Sequence, residues 1–387
     1  MASPLSSLKV IDFSTLLPGP YATLMLADMG ADVLRIESPT RPDMVRALPP
    51  KDETGESAAH SYLNRNKKAL ALDLKRPQAK EIIHQLIADY DILVEQFRPG
   101  VMARLGLDYE TLKQINPKLI YCSITGYGQT GPLKDRAGHD INYLALAGIA
   151  DYSRRQGEAP VPQAVQIADV AGGSHHAVMG ILAAVIERAG TGLGQHLDIS
   201  MTDCAFSLNA LFASGYLGGG IEPQAEETML NGGSFYDYFE TSDGRYLSVG
   251  SLEPQFLMAL CSALQLESLA ANALSPNRTM SAEFKTALAA AIKAQDFDHW
   301  CKLFSKLDCC VEPVLTFAEA CEQPHAKARQ WINESPQGIK QLNHPFFKDT
   351  QIQTTGTKLG TDTQAVLTKL GLSSSEIDEL RAAKTIR

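Results

Sequence analysis

The stretch LKVIDFSTLLPGPYATLMLADMGADVLRIE, residues 8–37, decides the fold. It starts with a short β-type run over 8–13, passes the turn at 18–20 into a helical segment that stops at Gly30, and ends in a second β-type run. A strand, a helix and a strand of these lengths predict a β-α-β unit with two parallel strands.

The same alternation continues along the first half of the chain. Further β-type runs are KALALDL, DILVEQF, LIYCSIT and GQHLDISM, and the helical segments between them include PQAKEIIHQLIADY and GGSHHAVMGILAAVIER. Strands that alternate with helices in this way predict an α/β fold with a mostly parallel sheet and helices on both faces.

The character of the chain changes after residue 200. The glycines at 218–220 and the polar run QAEET indicate a linker, and FYDYFETSDGRYLSVGS predicts a hairpin around Asp243-Gly244 that is followed by three helical segments. We therefore predict a large domain over 1–200, a linker over 201–228, a small α+β domain over 229–325, and a C-terminal segment over 326–387 that returns to the large domain. In that segment, Ser374 or Ser375 is expected to open a helix with a capping box.

Composition restricts the functional classes. The 387 residues include 44% hydrophobic and 20% charged residues, which is typical of a globular protein with a sizeable core. A net charge of -9 argues against a nucleic-acid binder. We find no uncharged apolar run of the roughly 18 residues that a membrane helix needs and no secretory signal at the N-terminus. Seven scattered cysteines without a CxxC spacing favour a reduced, cytoplasmic chain.

A glycine-rich segment follows the LIYCSIT run. GYGQTG, residues 126–131, matches the GxGxxG pattern of dinucleotide sites, but that pattern needs a helix at its third glycine. Pro132 could start a helix, although LKDRAGHD continues it poorly. Three interpretations remain open: a nicotinamide-dinucleotide site, a loop that approaches another ligand, and a plain turn.

Basic residues gather in the first third of the chain. Several follow predicted strands, where open α/β sheets bind their ligands, and such a cluster in an acidic protein suits a phosphate-bearing ligand. A solvated surface would show the same residues. The cluster consists of Arg35, Arg65, Lys67, Lys68, Lys75, Arg76, Arg98 and Arg104.

The strongest candidates for chemistry are His139, in the segment GHDINY, and Asp169, thirty residues later. A His–Asp dipeptide is often structural, and Asp169 precedes a long helix that it could simply cap. The functional interpretation places an acid where the positive end of a helix meets an anion. The adjacent His175 and His176 point in different directions on their helix, so we predict no metal site.

Seven segments in one order resemble the class III CoA-transferase (CaiB/BaiF) family, which includes α-methylacyl-CoA racemases. They are DFSTLLPGPYATLMLADMGADVLRIE, NRNKKALALDLK, FRPGVMARLGL, SITGYGQTGP, IADVAGG, GQHLDISM and VGSLEPQF. The resemblance implies a Rossmann-like large domain, a small domain, and two chains interlocked in a homodimer. It also implies an acyl-CoA substrate, and CoA as part of that substrate rather than as a cofactor.

The segment GHDINY is similar to the racemase branch of the family. By this resemblance His139 and Asp169 are the acid/base pair, and Glu253 orients the histidine, from the same or the partner subunit. One departure is Val165, at a position where racemases often carry Asn. The positions that the resemblance assigns to CoA binding are Arg35, Leu72, Leu74, Lys75, Arg98, Arg104, Gly138, Asp140 and Tyr143.

Racemisation next to a thioester removes a proton from one face of a carbon and returns one to the other face. The enolate between these steps would be stabilised by donors at the helix N-terminus after Asp169, each contributing about 3–4 kcal/mol if placed as in an oxyanion hole. A CoA-transferase would use Asp169 as a covalent nucleophile and would not need His139. A third interpretation is a CoA-thioester-binding protein without catalysis.

Overall fold

The computed structural model of the chain describes residues 3–387. Contacts divide it into two compact units: residues up to 147 with 163–208 and 324–387, and residues 148–162 with 209–323. The C-terminal segment therefore belongs to the first unit, together with most of the predicted large domain. The short segment 148–162 belongs to the second unit, which the sequence did not indicate.

The first unit is built on six parallel strands. They are β1 (Lys9–Asp12), β2 (Asp32–Glu37), β3 (Lys67–Ala71), β4 (Ile92–Glu95), β5 (Ile120–Thr125) and β6 (His196–Ser200). Their order in the sheet is β3-β2-β1-β4-β5-β6, and every pair is parallel. This is the strand order of doubly wound dinucleotide-binding folds. The predicted α/β class with a mostly parallel sheet is confirmed.

Helices follow the strands throughout the described residues. They are α1 (Pro18–Asp28), α2 (Ala58–Leu63), α3 (Pro77–Ile87), α4 (Val101–Leu105), α5 (Tyr109–Leu112), α6 (Asp140–Leu146), α7 (Ile149–Tyr152), α8 (His176–Thr191), α9 (Met201–Ser207), α10 (Ala210–Gly219), α11 (Pro254–Leu264), α12 (Arg278–Lys293), α13 (Phe297–Phe304), α14 (Phe317–Glu322), α15 (Pro324–Ala328), α16 (Thr363–Lys369) and α17 (Ser374–Ala382). Shorter 3₁₀ turns span Met44–Ala47 and Glu267–Asn272, and a π-helix spans Ala168–His175.

The local sequence explains these elements. Strands β4 and β5 are buried along their whole length, as expected for central strands of a parallel sheet covered on both faces. Helices α1 and α3 begin at proline, whose fixed backbone angle suits the first turn, and α8 ends at Gly192 in the left-handed conformation. Helix α3 turns its apolar face, with Ile83 fully buried, onto the core beside the C-terminal helices.

The second unit contains an antiparallel sheet of β7 (Asp237–Glu240), β8 (Tyr246–Val249) and β9 (Val311–Pro313). The predicted hairpin turns at Gly244, which has a φ of 81°. A core that includes Phe235, Phe284 and Trp300 joins this sheet to helices α11 to α13. In the first unit a small hairpin pairs β10 (Ile332–Glu334) with β11 (Lys340–Leu342).

Two local expectations were wrong, and one open alternative is decided. The predicted linker over 201–228 contains the helices α9 and α10, because its apolar residues outweigh its glycines. The capping box of α17 is made by Ser373 with Glu376, one residue before the expected serines. No helix follows Gly131; Gly128 and Gly131 both have a φ of 81° in an irregular loop. The helix that a dinucleotide fingerprint requires is therefore missing there.

The continuous helix over Ala168–Thr191 is long and apolar enough to cross a membrane, judged by length and composition alone. This helix does not appear as an uncharged apolar run in the sequence, because it contains Asp169 and Arg188. In the structure, buried residues such as Ala177 and Ile181 line one face of α8, which packs against β5, β6 and α1. That packing accounts for the apolar face.

Candidate active site

A cavity of about 410 Å³ opens in the first unit beyond the carboxyl ends of β4 and β5. The strand order reverses between β1 and β4: the chain continues from β1 to β2 on one side and from β4 to β5 on the other. Open α/β sheets bind their ligands at such a switch point. The lining comes from the loops that follow β1, β4 and β5. It comprises residues 96–99, 124–127, 134 and 136–139, with Leu16, Pro18, Asn142, Tyr143, Asp169 and Met201.

His139 lies at this cavity as the residue that caps helix α6. Its backbone is extended, and its N–H donates to Oδ1 of Asn142 at 3.0 Å. This bond fixes the backbone of His139 and leaves its imidazole exposed at the cavity wall. The side chain is thus available to a ligand.

Asp169 faces the same cavity from the first turn of the π-helix Ala168–His175. The predicted capping role is wrong, because the helix is capped at Ile167 and Asp169 lies inside its first turn. π-helical turns are rare and occur frequently at functional sites. Two residues thirty positions apart in the chain are therefore brought to one cavity.

The environment of Asp169 raises the pKa of its carboxyl to about 6. The largest cause is burial, which penalises the carboxylate; the negative charge of Asp140 raises the pKa further, and the nearby His139 opposes both. A carboxyl with a pKa near neutrality can both accept and donate a proton under physiological conditions.

Glycines allow two tyrosine rings to form the wall beside His139. The rings of Tyr127 and Tyr143 meet edge to face with centroids 5.3 Å apart. A Cβ atom on Gly126 would lie 2.6 Å from Cε1 of Tyr143, and one on Gly138 would lie 2.6 Å from the hydroxyl of Tyr127. Gly126 and Gly138 therefore let the two rings approach the backbone closely, and the interpretation of residues 126–131 as a loop that approaches a ligand stays a prediction.

Small residues likewise seat the helix that carries Asp169. A Cβ atom on Gly172 would lie 3.1 Å from the carbonyl oxygen of Met201, and one on Gly173 would lie 3.1 Å from Cβ of Pro18. The hydroxyl of Ser174 donates to the carbonyl oxygen of Pro18 at 2.7 Å. The segment AGGS is explained by this close packing of the π-helix against α1 and α9.

Two N–H groups at the expected enolate site, those of Asp169 and Val170, are already used within the protein. The N–H of Asp169 donates to Oδ1 of Asp140 at 3.0 Å, and the N–H of Val170 donates to the carbonyl oxygen of Gln166 at 2.9 Å. Val165, which replaces the asparagine of many racemases, is 65% exposed and cannot support Asp169. The side chain that holds Asp169 is Asp140.

Three cationic side chains line the cavity: Arg98, Lys134 and Arg136. None of them forms an ion pair with any residue between 3 and 387. Unpaired guanidinium and ammonium groups beside a cavity suit a ligand that carries phosphates. Of these three, the sequence analysis named only Arg98.

Most of the predicted basic cluster is neutralised internally. Arg35 is only 2% exposed; its Nη1 lies 2.9 Å from Glu37 Oε2 and its Nη2 lies 2.6 Å from Asp43 Oδ2. Arg65 and Lys67 are buried and paired with Asp28 and Asp12. Arg65 thus ties the segment before β3 to the end of α1, and Lys67 ties the start of β3 to the end of β1. None of these side chains lines the cavity.

The remaining predicted CoA-binding residues lie outside the cavity lining. Leu72 is fully buried in the core, Leu74 is partly buried against it, and Lys75 is exposed at the turn that leads into α3. Arg104 is exposed on α4. Of the nine predicted CoA-binding positions, Arg98, Gly138 and Tyr143 line the cavity, while Asp140 lies just behind it.

Glu253 belongs to the second unit, where it caps α11 with an exposed side chain. Two hydrogen bonds hold the loop before it. The N–H of Gly250 donates to the carbonyl oxygen of Cys310 at 2.9 Å, and the hydroxyl of Ser251 donates to the carbonyl oxygen of Cys309. The predicted role of Glu253 towards His139 stays a prediction.

Sequence reasoning missed several lining residues. Lys134 and Arg136 were read as part of a poor helix, although two cations between a glycine-rich loop and GHDINY were a usable signal. Gln96 directly follows β4, and its Oε1 accepts the N–H of Gly19 at 3.0 Å. Among residues 3–387 no three His, Cys, Asp or Glu side chains are grouped so as to hold a metal ion.

Comparisons with known proteins agree with this geometry. Residues 5–363 match the sequence profile of CoA-transferase family III. The α-methylacyl-CoA racemase of Mus musculus is 35% identical over 390 residues, which cover 99% of this chain and 97% of that protein. Human succinyl-CoA:glutarate CoA-transferase is 36% identical over 269 residues, covering 70% of this chain and 61% of that one.

A crystal structure of a CAIB/BAIF family protein from Brucella suis matches with a TM-score of 0.83 and 30% identity, covering 96% of this chain and 100% of that one. The similarity thus extends over sequence and fold alike, and the named relatives are enzymes, both racemases and CoA-transferases. This chain belongs to CoA-transferase family III.

Proposed function

We propose that this protein is a 2-methylacyl-CoA racemase, which interconverts the 2R and 2S thioesters by proton transfer. The observation that carries the proposal is that His139 and Asp169 line one cavity. Similarity to α-methylacyl-CoA racemase over nearly the whole chain supports it. Two acid/base groups at one cavity are what inversion of a carbon requires.

In the proposed reaction one group breaks the α-carbon–hydrogen bond and takes the proton. The electron pair moves into the enolate, whose charge rests on the thioester oxygen, and the other group delivers its proton to the opposite face. The pKa of Asp169, raised to about 6, suits a carboxyl that acts as base in one direction and as acid in the other. The reaction needs no cofactor, because side chains carry the protons and CoA is part of the substrate.

The start of helix α6 offers donors for the enolate. The first N–H groups of a helix have no intrahelical acceptor, and in α6 these belong to Asp140 and Ile141, directly after His139. They would add to the donors expected after Asp169, of which the N–H of Val170 is already bonded to Gln166. The positive end of the helix dipole favours the developing negative charge at this place.

The CoA part of the substrate needs cations for its phosphates. Arg98, Lys134 and Arg136 are the cavity-lining candidates, and Lys75 and Arg104, which the family resemblance implies, are exposed and unpaired within residues 3–387. We assign Arg35 a structural role instead, since its guanidinium is held by Glu37 and Asp43.

The alternative function is transfer of CoA between carboxylic acids. The Asp169 carboxylate would attack the thioester carbonyl, forming a C–O bond while the C–S bond breaks and CoA leaves as the thiolate. Two observations favour it: Asp169 lines the cavity, and a succinyl-CoA:glutarate CoA-transferase is 36% identical to this chain. It gives the neighbouring His139 no required role.

We further propose that the chain acts as a cytoplasmic homodimer. No residue of the apolar helix α10 is buried, and its side chains Leu211 and Leu217 are 63% and 75% exposed, so this helix needs a covering surface. A second copy is the partner that the family resemblance implies, and it could bring Glu253 towards His139.

Proton NMR in heavy water tests the function. Wild-type protein is incubated with (2S)-2-methylacyl-CoA, with and without a free carboxylic acid. A racemase exchanges the α-proton and loses optical purity without the acceptor; a transferase keeps the α-proton and moves CoA to the acceptor. For the racemase, His139→Ala and Asp169→Ala should each abolish exchange and leave CoA affinity nearly intact, whereas Arg329→Ala, an exposed change in the first unit, should do neither.

A transferase would instead retain activity in His139→Ala and lose it in Asp169→Ala. Exchange near the wild-type rate in either variant would rule out the two-base assignment. Binding of the thioester without either reaction would leave the binding-only interpretation.

A further inference from the structure

The carboxyl group of Asp140 lies behind the cavity wall rather than on it. Its neighbours His139 and Tyr143 line the cavity, but Asp140 does not, and only 9% of it is exposed. Its Oδ1 accepts the N–H of Asp169 at 3.0 Å. The carboxylate is therefore turned towards the helix that carries Asp169 and away from the space that a CoA ester would occupy.

The charge of Asp140 is uncompensated by an ion pair with any residue between 3 and 387. A buried carboxylate without a cation beside it is unusual, because removing a charge from water is costly. Within residues 3–387 its carboxylate accepts one hydrogen bond, from the backbone N–H of Asp169. The energetic cost of such a group suggests a role in the site rather than in folding.

We propose that Asp140 is a positioning residue for Asp169. Its carboxylate anchors the backbone at the first turn of the π-helix and places a fixed negative charge beside the Asp169 carboxyl group. This inference rests on the proposed use of Asp169 in catalysis, and it removes Asp140 from the CoA-contacting residues implied by the family resemblance.

The side chains just before the π-helix do not replace Asp140 as the acceptor of the Asp169 N–H. Val165 and Gln166, which precede the π-helix, are exposed, and the amide of Gln166 donates to the carbonyl oxygen of Ala164. The first N–H groups of a helix have no acceptor within that helix, so the first turn of this π-helix needs acceptors from elsewhere in the chain. Holding the Asp169 N–H fixes the direction in which its side chain leaves the helix.

The charge acts on the proton affinity of Asp169. Asp140 raises the pKa of that carboxyl, second only to burial, and His139 lowers it. The other ionisable groups on elements packed against the π-helix are Tyr21 and Asp28 on α1, Tyr143 on α6, His176, Glu187 and Arg188 on α8, His196 and Asp198 on β6, and Asp203 and Cys204 on α9. The charges that shift the pKa of Asp169 are those of Asp140 and His139. Asp140 therefore supplies the nearby negative charge that favours protonation of the Asp169 carboxyl group.

Two substitutions separate the anchor from the charge. Asp140→Asn keeps an oxygen that can accept the Asp169 N–H but removes the charge, whereas Asp140→Ala removes both. We expect Asp140→Asn to move the acid limb of the pH profile of kcat/KM down by roughly one pH unit. We expect Asp140→Ala to shift the limb similarly and to lower kcat by about tenfold or more, with little change in KM.

Asp135→Asn serves as the matched control, because Asp135 is exposed, five residues earlier and absent from the cavity lining. It should leave the limb in place. An unmoved limb in Asp140→Asn would overturn the charge effect, and wild-type kcat in Asp140→Ala would overturn the anchor. A purely structural role predicts lower melting temperatures with an unshifted limb.

The proposed function can fail separately. If wild-type protein catalyses CoA transfer, the same limb is read in that reaction, since Asp169 must then be ionised to attack. If it catalyses neither reaction, the titration of the Asp169 carboxyl, followed by ¹³C NMR and assigned with Asp169→Asn, gives the pKa directly. A titration midpoint that is the same in wild type and Asp140→Asn would refute the inference under every outcome.

Discussion

The hydroxyl of Tyr143 donates to the carbonyl oxygen of Gly138 at 2.6 Å, and Gly138 immediately precedes His139. The tyrosine is only 5% exposed, and its ring also packs on Tyr127. One turn of helix α6 is thereby tied back to the loop that leads into it. This bond fixes the peptide from which the His139 side chain emerges.

Tyr143→Phe should therefore reduce catalysis more than binding. We expect kcat to fall several-fold, because His139 loses a fixed backbone, and the free energy of unfolding to drop by about 1 kcal/mol for the lost buried hydrogen bond. Exchange kinetics and thermal unfolding check both. Tyr90→Phe, a partly buried tyrosine in the core remote from the cavity, should leave kcat unchanged; equal kcat values in both variants would contradict the role of the bond.

Gly126→Ala should disturb the cavity wall. The new Cβ atom would lie 2.6 Å from the Tyr143 ring, so the ring must move, at a cost of about 1–3 kcal/mol. We expect a lower melting temperature together with a lower exchange rate. Gly190→Ala is the control: nothing lies within 4 Å of its Cβ position on α8, and it should stabilise the protein by about 0.5 kcal/mol. An unchanged melting temperature and exchange rate in Gly126→Ala would show that the Tyr143 ring can move aside without cost.

The pH dependence of kcat/KM should show an acid limb near pH 6. Burial and Asp140 raise the pKa of Asp169 to about 6, so below that pH the carboxyl becomes protonated. Where Asp169 acts as the base, its protonation removes that base, and the rate should fall about tenfold per pH unit. Initial rates between pH 4.5 and 8 measure this. A limb at pH 4, the ordinary range of an aspartate, would contradict the raised pKa.

Cations at the cavity should control affinity for CoA esters. Arg98→Ala and Arg136→Ala should each weaken binding and reduce its dependence on salt, because each removes an unpaired charge beside the cavity. Arg104→Ala should have a smaller effect, since Arg104 is outside the lining. Calorimetry at two ionic strengths measures this, with Arg329→Ala as the control. Unchanged affinity in Arg98→Ala would place the phosphates elsewhere.

Helix α10 should be an interface between two copies. Light scattering should give about twice the 42.0 kDa chain mass for wild-type protein. Leu217→Asp, at a side chain that is 75% exposed, should shift the mass towards the monomer and leave the melting of the isolated chain nearly unchanged. Lys118→Asp, on the surface of the first unit, should remain dimeric. A monomeric wild type would reject the dimer.

The order of the secondary structure could be predicted from the sequence, because it depends on local patterns. The β-α-β stretch at 8–37, the buried run LIYCSIT and the proline at the start of α3 specify strand and helix without knowledge of their neighbours. The prediction of a linker over 201–228 was wrong because composition does not show whether apolar residues form a helix.

The residues 139 and 169 could also be chosen from the sequence, through a family resemblance rather than through spacing. The resemblance could not say which cations remain free. Arg35 and Arg98 look alike in the chain, yet one is enclosed by Glu37 and Asp43 while the other borders the cavity. Ion pairing between distant segments decides this, and only the folded chain brings those segments together.

The sequence by itself determined the fold class and the family, and it singled out His139 and Asp169 as the proposed acid/base pair, since the segments that indicate them are close in the chain or recur in a fixed order. The tertiary structure alone decided that Asp140 holds the N–H of Asp169, that the N–H of Val170 is bonded to Gln166, and that Lys134 and Arg136 reach the cavity. The physical reason is that burial, charge and hydrogen bonding act through space, over distances that the order of residues does not encode.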